Sequence, residues 1–405
     1  MKNSIKFLPL LILYIFIVLM ASSDSFQYDE GRYVLFTQNL SQGFYSDSSD
    51  MNLWNGPGYP IVLLPFALLK LPWLAAKLLN AIFLFGAVVY FYRALCFYIA
   101  KRPALCFSYL LGLYLPFLRY VHVLLTEVFA IFLISGFLFH FCRIYNDDGK
   151  NKWISIIAAA FYLGYLALTK VFFGYVILAM IAAALFLYVL KRSAKLKKTL
   201  LVCLFALIFC SPYLYYTQSL TGRVFYWANS GGSSLYWMST PYDNELGDWH
   251  DYTRVANDPR LAKNHLDFLN NIAHLNYVEM DDAFKKKAIY NIKHYPVKFF
   301  KNWIANIGRM LFSYPFSYTP QKLSTFFYLI PNMFIVVLSF LCAYQGWRKR
   351  SQIPYEIGAL LLFALITFGG SSLLSAYARQ FAVIVPILAL WMSFIMTRHY
   401  SILEL

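Results

Sequence analysis

Residues 153–190 read WISIIAAAFYLGYLALTKVFFGYVILAMIAAALFLYVL, and Lys170 is the only charge among them. A helix crosses the hydrocarbon core of a bilayer with about 17–25 apolar residues. This run is too long for one crossing and fits two antiparallel ones, with Lys170 at the bend. Lipid offers no partner to open backbone groups, so such segments are helical. Basic residues mark the two ends of the run: Lys152 before it, and Lys191, Arg192, Lys195, Lys197 and Lys198 after it. Short basic links belong on the cytoplasmic side. The ends of the hairpin therefore face inward, and Lys170 faces outward.

The same pattern extends in both directions. Arg93, Lys101, Arg102, Arg143, Lys150, Arg348, Lys349, Arg350 and Arg398 also lie in short links between apolar runs. The chain is 60% hydrophobic and 13% charged, against about 25% charged in a soluble protein. It reads as an all-α polytopic membrane protein with about ten spans. These fall near 6–21, 73–92, 103–118, 123–142, 153–169, 171–190, 199–217, 324–345, 356–370 and 380–397, with both termini cytoplasmic. In a Gram-negative cell this places it in the inner (plasma) membrane, with the outer loops in the periplasm. The short alternating strands of a membrane barrel are not seen. The first apolar segment follows Lys2 and Lys6 like a signal peptide, but Ala21-Ser22-Ser23 is a poor cleavage site. It is expected to stay as the first span.

The net charge of +16 is largely accounted for by topology, so the expected partner is the lipid bilayer and not nucleic acid. Cys96, Cys106, Cys142, Cys203, Cys210 and Cys342 all lie in spans or at their cytoplasmic ends. No disulfide and no zinc site is expected.

Three parts follow from this layout. Residues 1–217 form a transmembrane core with a first outer loop at 22–72. Residues 218–323 form a polar outer region, and 324–405 hold the last spans. Gly58–Leu71 is apolar but short; as a crossing it would invert every later loop, so it reads as a re-entrant or interfacial helix. The 218–323 region carries nine of the nineteen acidic residues. Near its end, Phe299, Phe300, Trp303, Ile304, Ile307, Met310 and Leu311 recur at near-helical spacing, with Lys298, Lys301 and Arg309 between them. That pattern fits an amphipathic helix on the outer leaflet.

Few residues at the outer ends of the spans can carry chemistry. Asp29 and Glu30 follow the first span in Tyr28-Asp29-Glu30-Gly31-Arg32-Tyr33. Adjacent acids at a membrane face call for a partner, which Arg32 can supply; an ordinary solvated loop fits as well. Glu127 is the only acid between Asp50 and Asp147. An ionisable group at that depth is a functional candidate, although pairing with Arg119 or His122 would make it structural. Lys170 stands alone in its hairpin, and Arg379 is the only charge between Ile357 and Thr397. Both can clamp a phosphate or snorkel to lipid headgroups. Asp248, His250 and Asp251 are a weak metal pattern. Tyr226, Trp227, Tyr236 and Trp237 can stack on sugars, but core packing suits them better.

In order and sidedness these motifs resemble the C-type membrane glycosyltransferases, especially bacterial aminoarabinose transferases and relatives of protein O-mannosyltransferases. The shared features are Asp29-Glu30-Gly31-Arg32-Tyr33, the Pro-rich link Asn55-Gly56-Pro57-Gly58-Tyr59-Pro60, the second acid in Leu124-Leu125-Thr126-Glu127, the lysine ending Ala167-Leu168-Thr169-Lys170, and Ala378-Arg379-Gln380-Phe381 before Pro386. The likeness covers most of residues 1–220 and the last fifty. Gly56-Pro57-Gly58 stands where the aminoarabinose enzymes have a Lys-Pro-Pro-like stretch. The second acid is Glu where Asp is frequent. His122 lies five residues before Glu127, unlike the tighter His-x-Glu of the mannosyltransferases.

The resemblance implies an inverting sugar transfer from a polyprenyl-phosphate donor to a glycolipid, glycan or protein acceptor on the periplasmic face. Asp29 would be the general base or orient the acceptor hydroxyl. Glu30 and Glu127 would complete the catalytic set, and with Arg32 would position substrate and hold Asp29 in place. Tyr33, Arg119 and His122 would bind substrate, and Lys170 and Arg379 would hold the phosphate. No cofactor and no obligatory metal is expected, because side chains can neutralise the phosphate. A lipid-linked glycan flippase or an O-antigen-type polymerase or ligase remains the alternative. The isolated charges sit at the ends of spans and not along one, which disfavours transport.

Overall fold

The computed structural model describes residues 4–147 and 152–400. Lys2, Lys150 and the last five residues of the 324–405 segment lie outside the described residues. The chain is built from helices: α1 (Leu8–Ala21), α2 (Glu30–Ser41), α3 (Gly58–Leu68), α4 (Trp73–Leu95), α5 (Lys101–Gly112), α6 (Leu115–Leu118), α7 (Thr126–Asn146), α8 (Lys152–Thr169), α9 (Phe172–Lys191), α10 (Ala194–Thr221), α11 (Gly231–Met238), α12 (Tyr277–His294), α13 (Pro296–Phe312), α14 (Phe326–Arg348), α15 (Tyr355–Ser372) and α16 (Ala378–His399). Short helical turns occupy Tyr252 to Ile272 between α11 and α12.

Eight of these helices are long and apolar enough to cross a membrane: α4, α7, α8, α9, α10, α14, α15 and α16. Helix α1 with its preceding turn, Ile5–Ala21, is apolar but shorter, as is α3. The 153–190 run forms two helices, α8 and α9, with Lys170 in the bend. The span expected at 103–118 is divided. Helix α5 stops at Gly112, and Leu115–Leu118 forms a separate turn. Pro116 has no N–H to donate to the Gly112 carbonyl four residues before it. The Tyr14 hydroxyl donates to the freed Gly112 carbonyl at 2.8 Å, so the broken end is satisfied from α1.

Helices α7 and α16 are the most buried spans, and α14 is the most exposed. Association of spans depends on close packing and interhelical hydrogen bonds, since lipid tails are as apolar as leucine. Asn80 of α4 donates to Val123 O at 2.7 Å, and Tyr120 and Tyr328 share a hydroxyl contact of 2.6 Å. At the end of the bundle opposite Lys170, Tyr98 donates to Glu356 at 2.8 Å.

Helix α3 reaches the Lys170 end of α8 through a glycine. Tyr165 donates to Gly58 O at 3.1 Å, and a Cβ on Gly58 would sit 2.7 Å from Thr169 N. Backbone cannot yield there as a flexible side chain would. Gly58→Val is therefore expected to destabilise the protein by about 1–3 kcal/mol and to displace the Lys170 bend. Thermal melting in detergent checks this; an unchanged midpoint would refute the close approach.

The 218–323 segment carries its own cluster of Tyr236, Trp237, Val255, Leu261, Leu269, Ile272, Phe284 and Ala288. Helix α13 exposes Val297, Phe300 and Ile304 on one face. Arg309, read in the sequence as one of its interleaved surface charges, is instead fully buried together with Asn302 and Asn306.

Candidate active site

The cavity between the spans and the 218–323 segment is assembled mainly from helix beginnings and bends. Tyr28 adopts a left-handed φ of 53°, and Asp29 follows as the residue that opens α2. Arg32 and Tyr33 lie in the first turn of that helix. Glu127 is in the first turn of α7, Lys170 is in the bend before α9, and Arg379 is in the first turn of α16. Free backbone N–H groups give helix N-termini a partial positive charge, so three such ends favour an anion here.

Arg379 joins the two acids. Its Nη1 lies 3.0 Å from Asp29 Oδ2, and its Nε lies 3.9 Å from Glu127 Oε1. Lys170 Nζ is 3.0 Å from the same Glu127 oxygen. Arg32 Nη2 is 3.1 Å from Asp29 Oδ1, and its Nη1 donates to Asn55 at 3.2 Å. Asn55 in turn donates to the Tyr33 hydroxyl at 3.1 Å. The Tyr45 hydroxyl anchors Asn55 by donating to its carbonyl at 2.8 Å. All of these groups except Tyr45 line a cavity of about 230 Å³, together with Trp54, Gly56, Trp249, Tyr377 and Gln380. Its charged lining is Asp29 and Glu127 against Arg32, Lys170 and Arg379, so with both acids ionised it keeps one net positive charge.

The two acids differ in access. The Asp29 side chain is 23% exposed and Glu127 only 1%. Each carboxylate oxygen can accept more than one hydrogen bond, so Asp29 can receive a substrate hydroxyl while still paired. Glu127 serves as the buried counter-ion of Lys170, and its Oε2 is buried without a partner.

Burial alone would raise the Asp29 carboxyl, but the guanidinium groups of Arg379 and Arg32 outweigh it and hold the group below the usual carboxylate value of 3.8. A depressed pKa adds stability that is present above 3.8 and lost as pH falls through the folded value. Melting measured between pH 3 and pH 7 is expected to show an acid-side loss that Asp29→Asn reduces. An identical acid limb in the variant would dissociate Asp29 from it.

Three candidates from the sequence do not line this cavity. Glu30 is fully buried and accepts from Gln27 N and Leu124 N at 2.6 Å each. Lys77, itself buried, stands 3.7 Å away and donates to Ser23 O at 2.9 Å. Glu30 thus ties the α1–α2 link to the segment before α7. Arg119 lies outside, with Nη2 3.5 Å from the Tyr28 hydroxyl and its guanidinium over the Tyr328 ring. His122 accepts from Ser22 Oγ through its carbonyl at 3.5 Å.

Trp54, Asn55, Trp249 and Tyr377 escaped the sequence reading as site residues. Trp249 sits inside the Asp248–Asp251 stretch, which drew attention only for its acids and histidine. In the structure Asp248 and His250 are buried at 3.5 Å from each other, and Asp251 caps a short helix by accepting from Arg254 N. Trp227, Tyr236 and Trp237 are core residues.

No family model and none of the curated proteins matches the chain. Solved structures do. The archaeal oligosaccharyltransferase AglB from Archaeoglobus fulgidus, in complex with an inhibitory peptide and a dolichol-phosphate, is 13% identical over 97% of this chain and 50% of its own, with a TM-score of 0.54. The apo form of the Archaeoglobus fulgidus oligosaccharyltransferase gives 14% identity, coverage of 97% and 51%, and a TM-score of 0.55. ArnT from Cupriavidus metallidurans bound to undecaprenyl phosphate is 14% identical over 96% of this chain and 75% of its own, with a TM-score of 0.47. The chain spans about half the length of the oligosaccharyltransferase. It has the fold of the C-type membrane glycosyltransferases.

Proposed function

We propose that this protein transfers a sugar from a polyprenyl-phosphate carrier to an acceptor hydroxyl at the periplasmic face of a bacterial inner membrane, with inversion at the anomeric carbon. The observation that carries the reading is Arg379 bridging Asp29 and Glu127 beside Lys170 in one cavity. The archaeal oligosaccharyltransferase contributes the fold, and the dolichol-phosphate in its complex is a lipid phosphate of the carrier class proposed.

In this reaction the acceptor oxygen attacks the anomeric carbon from the face opposite the phosphate. The bond from that carbon to the phosphate oxygen breaks, and its electron pair leaves with the phosphate. Lys170 and Arg379 stabilise the charge that develops there. The hydroxyl proton passes to Asp29, which remains ionised until then. Arg32 and Asn55 hold Asp29 and Tyr33 in place, and Trp54 and Trp249 offer ring faces to a sugar. The site's own cations meet a phosphodiester's single charge, so no metal is required. Chelator treatment at matched protein level is expected to leave transfer intact; loss of transfer would overturn that part.

The test is mass spectrometry of lipid-linked sugars and surface glycans from deletion and complemented cells. One glycan is expected to lose one sugar in the deletion while its polyprenyl-phosphate donor accumulates. Loss of a whole lipid-linked oligosaccharide from the outer leaflet, with no donor monosaccharide accumulating, would favour a flippase instead.

A further inference from the structure

We propose that Asn306 and Arg309 of α13 are positioning residues for Arg379, acting through the turn at residues 372–376. The proposal rests on the reading of Arg379 as part of a phosphate clamp. Asn302, Asn306 and Arg309 recur at three- and four-residue spacing, so they share one face of α13, and all three are fully buried. A buried polar stripe on an otherwise amphipathic helix is costly unless its groups are bonded. Here the donors go almost entirely to main chain, and Asn302 Oδ1 is buried without a partner.

Asn306 satisfies its whole amide. Its Nδ2 donates to Ser372 O at 2.7 Å and to Leu374 O at 2.6 Å, and its Oδ1 accepts Ala376 N at 3.0 Å and Arg309 Nη2 at 2.8 Å. Arg309 donates from Nε to Ala376 O at 3.1 Å. Its other nitrogens reach Leu246 O, Pro315 O and Gly247 O at 3.0–3.3 Å. The hydrogen bonds it makes among the described residues go to carbonyls and to Asn306, with no carboxylate among them. A planar guanidinium with five donors suits several fixed carbonyls at once, which a lysine does not match.

The tethered turn ends three residues before Arg379. Tyr377 continues it into α16 through a reciprocal cap with Gln380, and its hydroxyl donates to Trp249 O at 3.2 Å. The carbonyls of Leu246 and Gly247 lead directly into Trp249. One buried pair therefore fixes both the guanidinium that would meet the phosphate and the Trp249 part of the cavity lining. Small displacements of such a group weaken its action steeply. Asn302 provides the contrast: it donates to Met238 O and Thr240 O, away from the turn.

The experiment measures binding of farnesyl phosphate to the full-length protein in nanodiscs by tryptophan fluorescence, against empty discs. Asn306→Ala and Arg309→Lys are each expected to weaken binding about tenfold, and to add little when combined with Arg379→Gln, as coupled residues do. Asn302→Ala, which removes two buried bonds from the same face of α13 that do not reach the turn, is expected to leave the affinity within twofold of wild type. Equal weakening by all three, or full additivity with Arg379→Gln, would reduce Asn306 and Arg309 to general packing and overturn the proposal. So would wild-type affinity in Asn306→Ala and Arg309→Lys. If Arg379→Gln itself binds farnesyl phosphate as tightly as wild type, the clamp reading fails first, and the positioning role falls with it.

Discussion

Asp29→Asn is expected to lower sugar transfer by about a hundredfold or more, the usual weight of a general base, while leaving the protein close to wild-type abundance. Asparagine keeps the shape, and its single amide oxygen can still accept from Arg32 or Arg379 but not from both, and it cannot take a proton. Asp29 is part-exposed, so the lost charge is partly screened and the fold tolerates the change. Glu127 remains to hold Arg379 and Lys170. In cells the variant should therefore reproduce the glycan defect of a deletion, with the same donor accumulating, at matched protein level. Asp29→Glu should be intermediate, since the charge returns one methylene out of place. Wild-type glycans from Asp29→Asn at equal abundance would remove the catalytic assignment and bring a transport or assembly role forward.

Lys170→Met is expected to affect stability more than any other substitution in the cavity. Glu127 is 1% exposed, and its Oε2 already has no partner. Without Lys170 the nearest cation is Arg379 Nε at 3.9 Å. Removing one member of a buried ion pair destabilises by about 3–5 kcal/mol, and Arg379 should keep the loss near the lower end. The double variant Glu127→Gln with Lys170→Met removes both charges and is expected to recover most of the melting temperature. Its activity should stay low, because the phosphate clamp has lost a cation. A Lys170→Met protein that melts like wild type would show that the pair is exposed to solvent and not a buried counter-ion.

Much of the bundle was legible because membrane insertion depends on local properties. Residues 153–190 specify two helices by length and apolarity, and the solitary Lys170 marks their bend. The division at 103–118 was less visible, since Leu113–Leu118 is as apolar as a span, and only Pro116 hinted at the break. Asp29, Arg32, Tyr33, Glu127, Lys170 and Arg379 were recognisable as rare polar groups at one end of apolar segments. Isolation in sequence is a physical signal there, because lipid does not tolerate unpaired charge. The same rule singled out Glu30, Arg119 and His122, which the fold spends on a buried tether and on contacts outside the cavity.

Sequence by itself determined that the chain is an all-helical membrane protein whose isolated charges gather at one end. Each of those conclusions follows from residue type and spacing along a helix. Tertiary structure alone decided that Arg379 spans Asp29 and Glu127, residues far apart in the chain, and that Lys77 joins Glu30. It also decided that Trp54 and Trp249 form cavity walls while Trp227 and Trp237 enter the core. Arg309 shows the limit most clearly. In sequence it is one more basic residue on an amphipathic helix. Its burial depends on carbonyls at residues 246, 247, 315 and 376 meeting in one place, and no local pattern encodes that meeting.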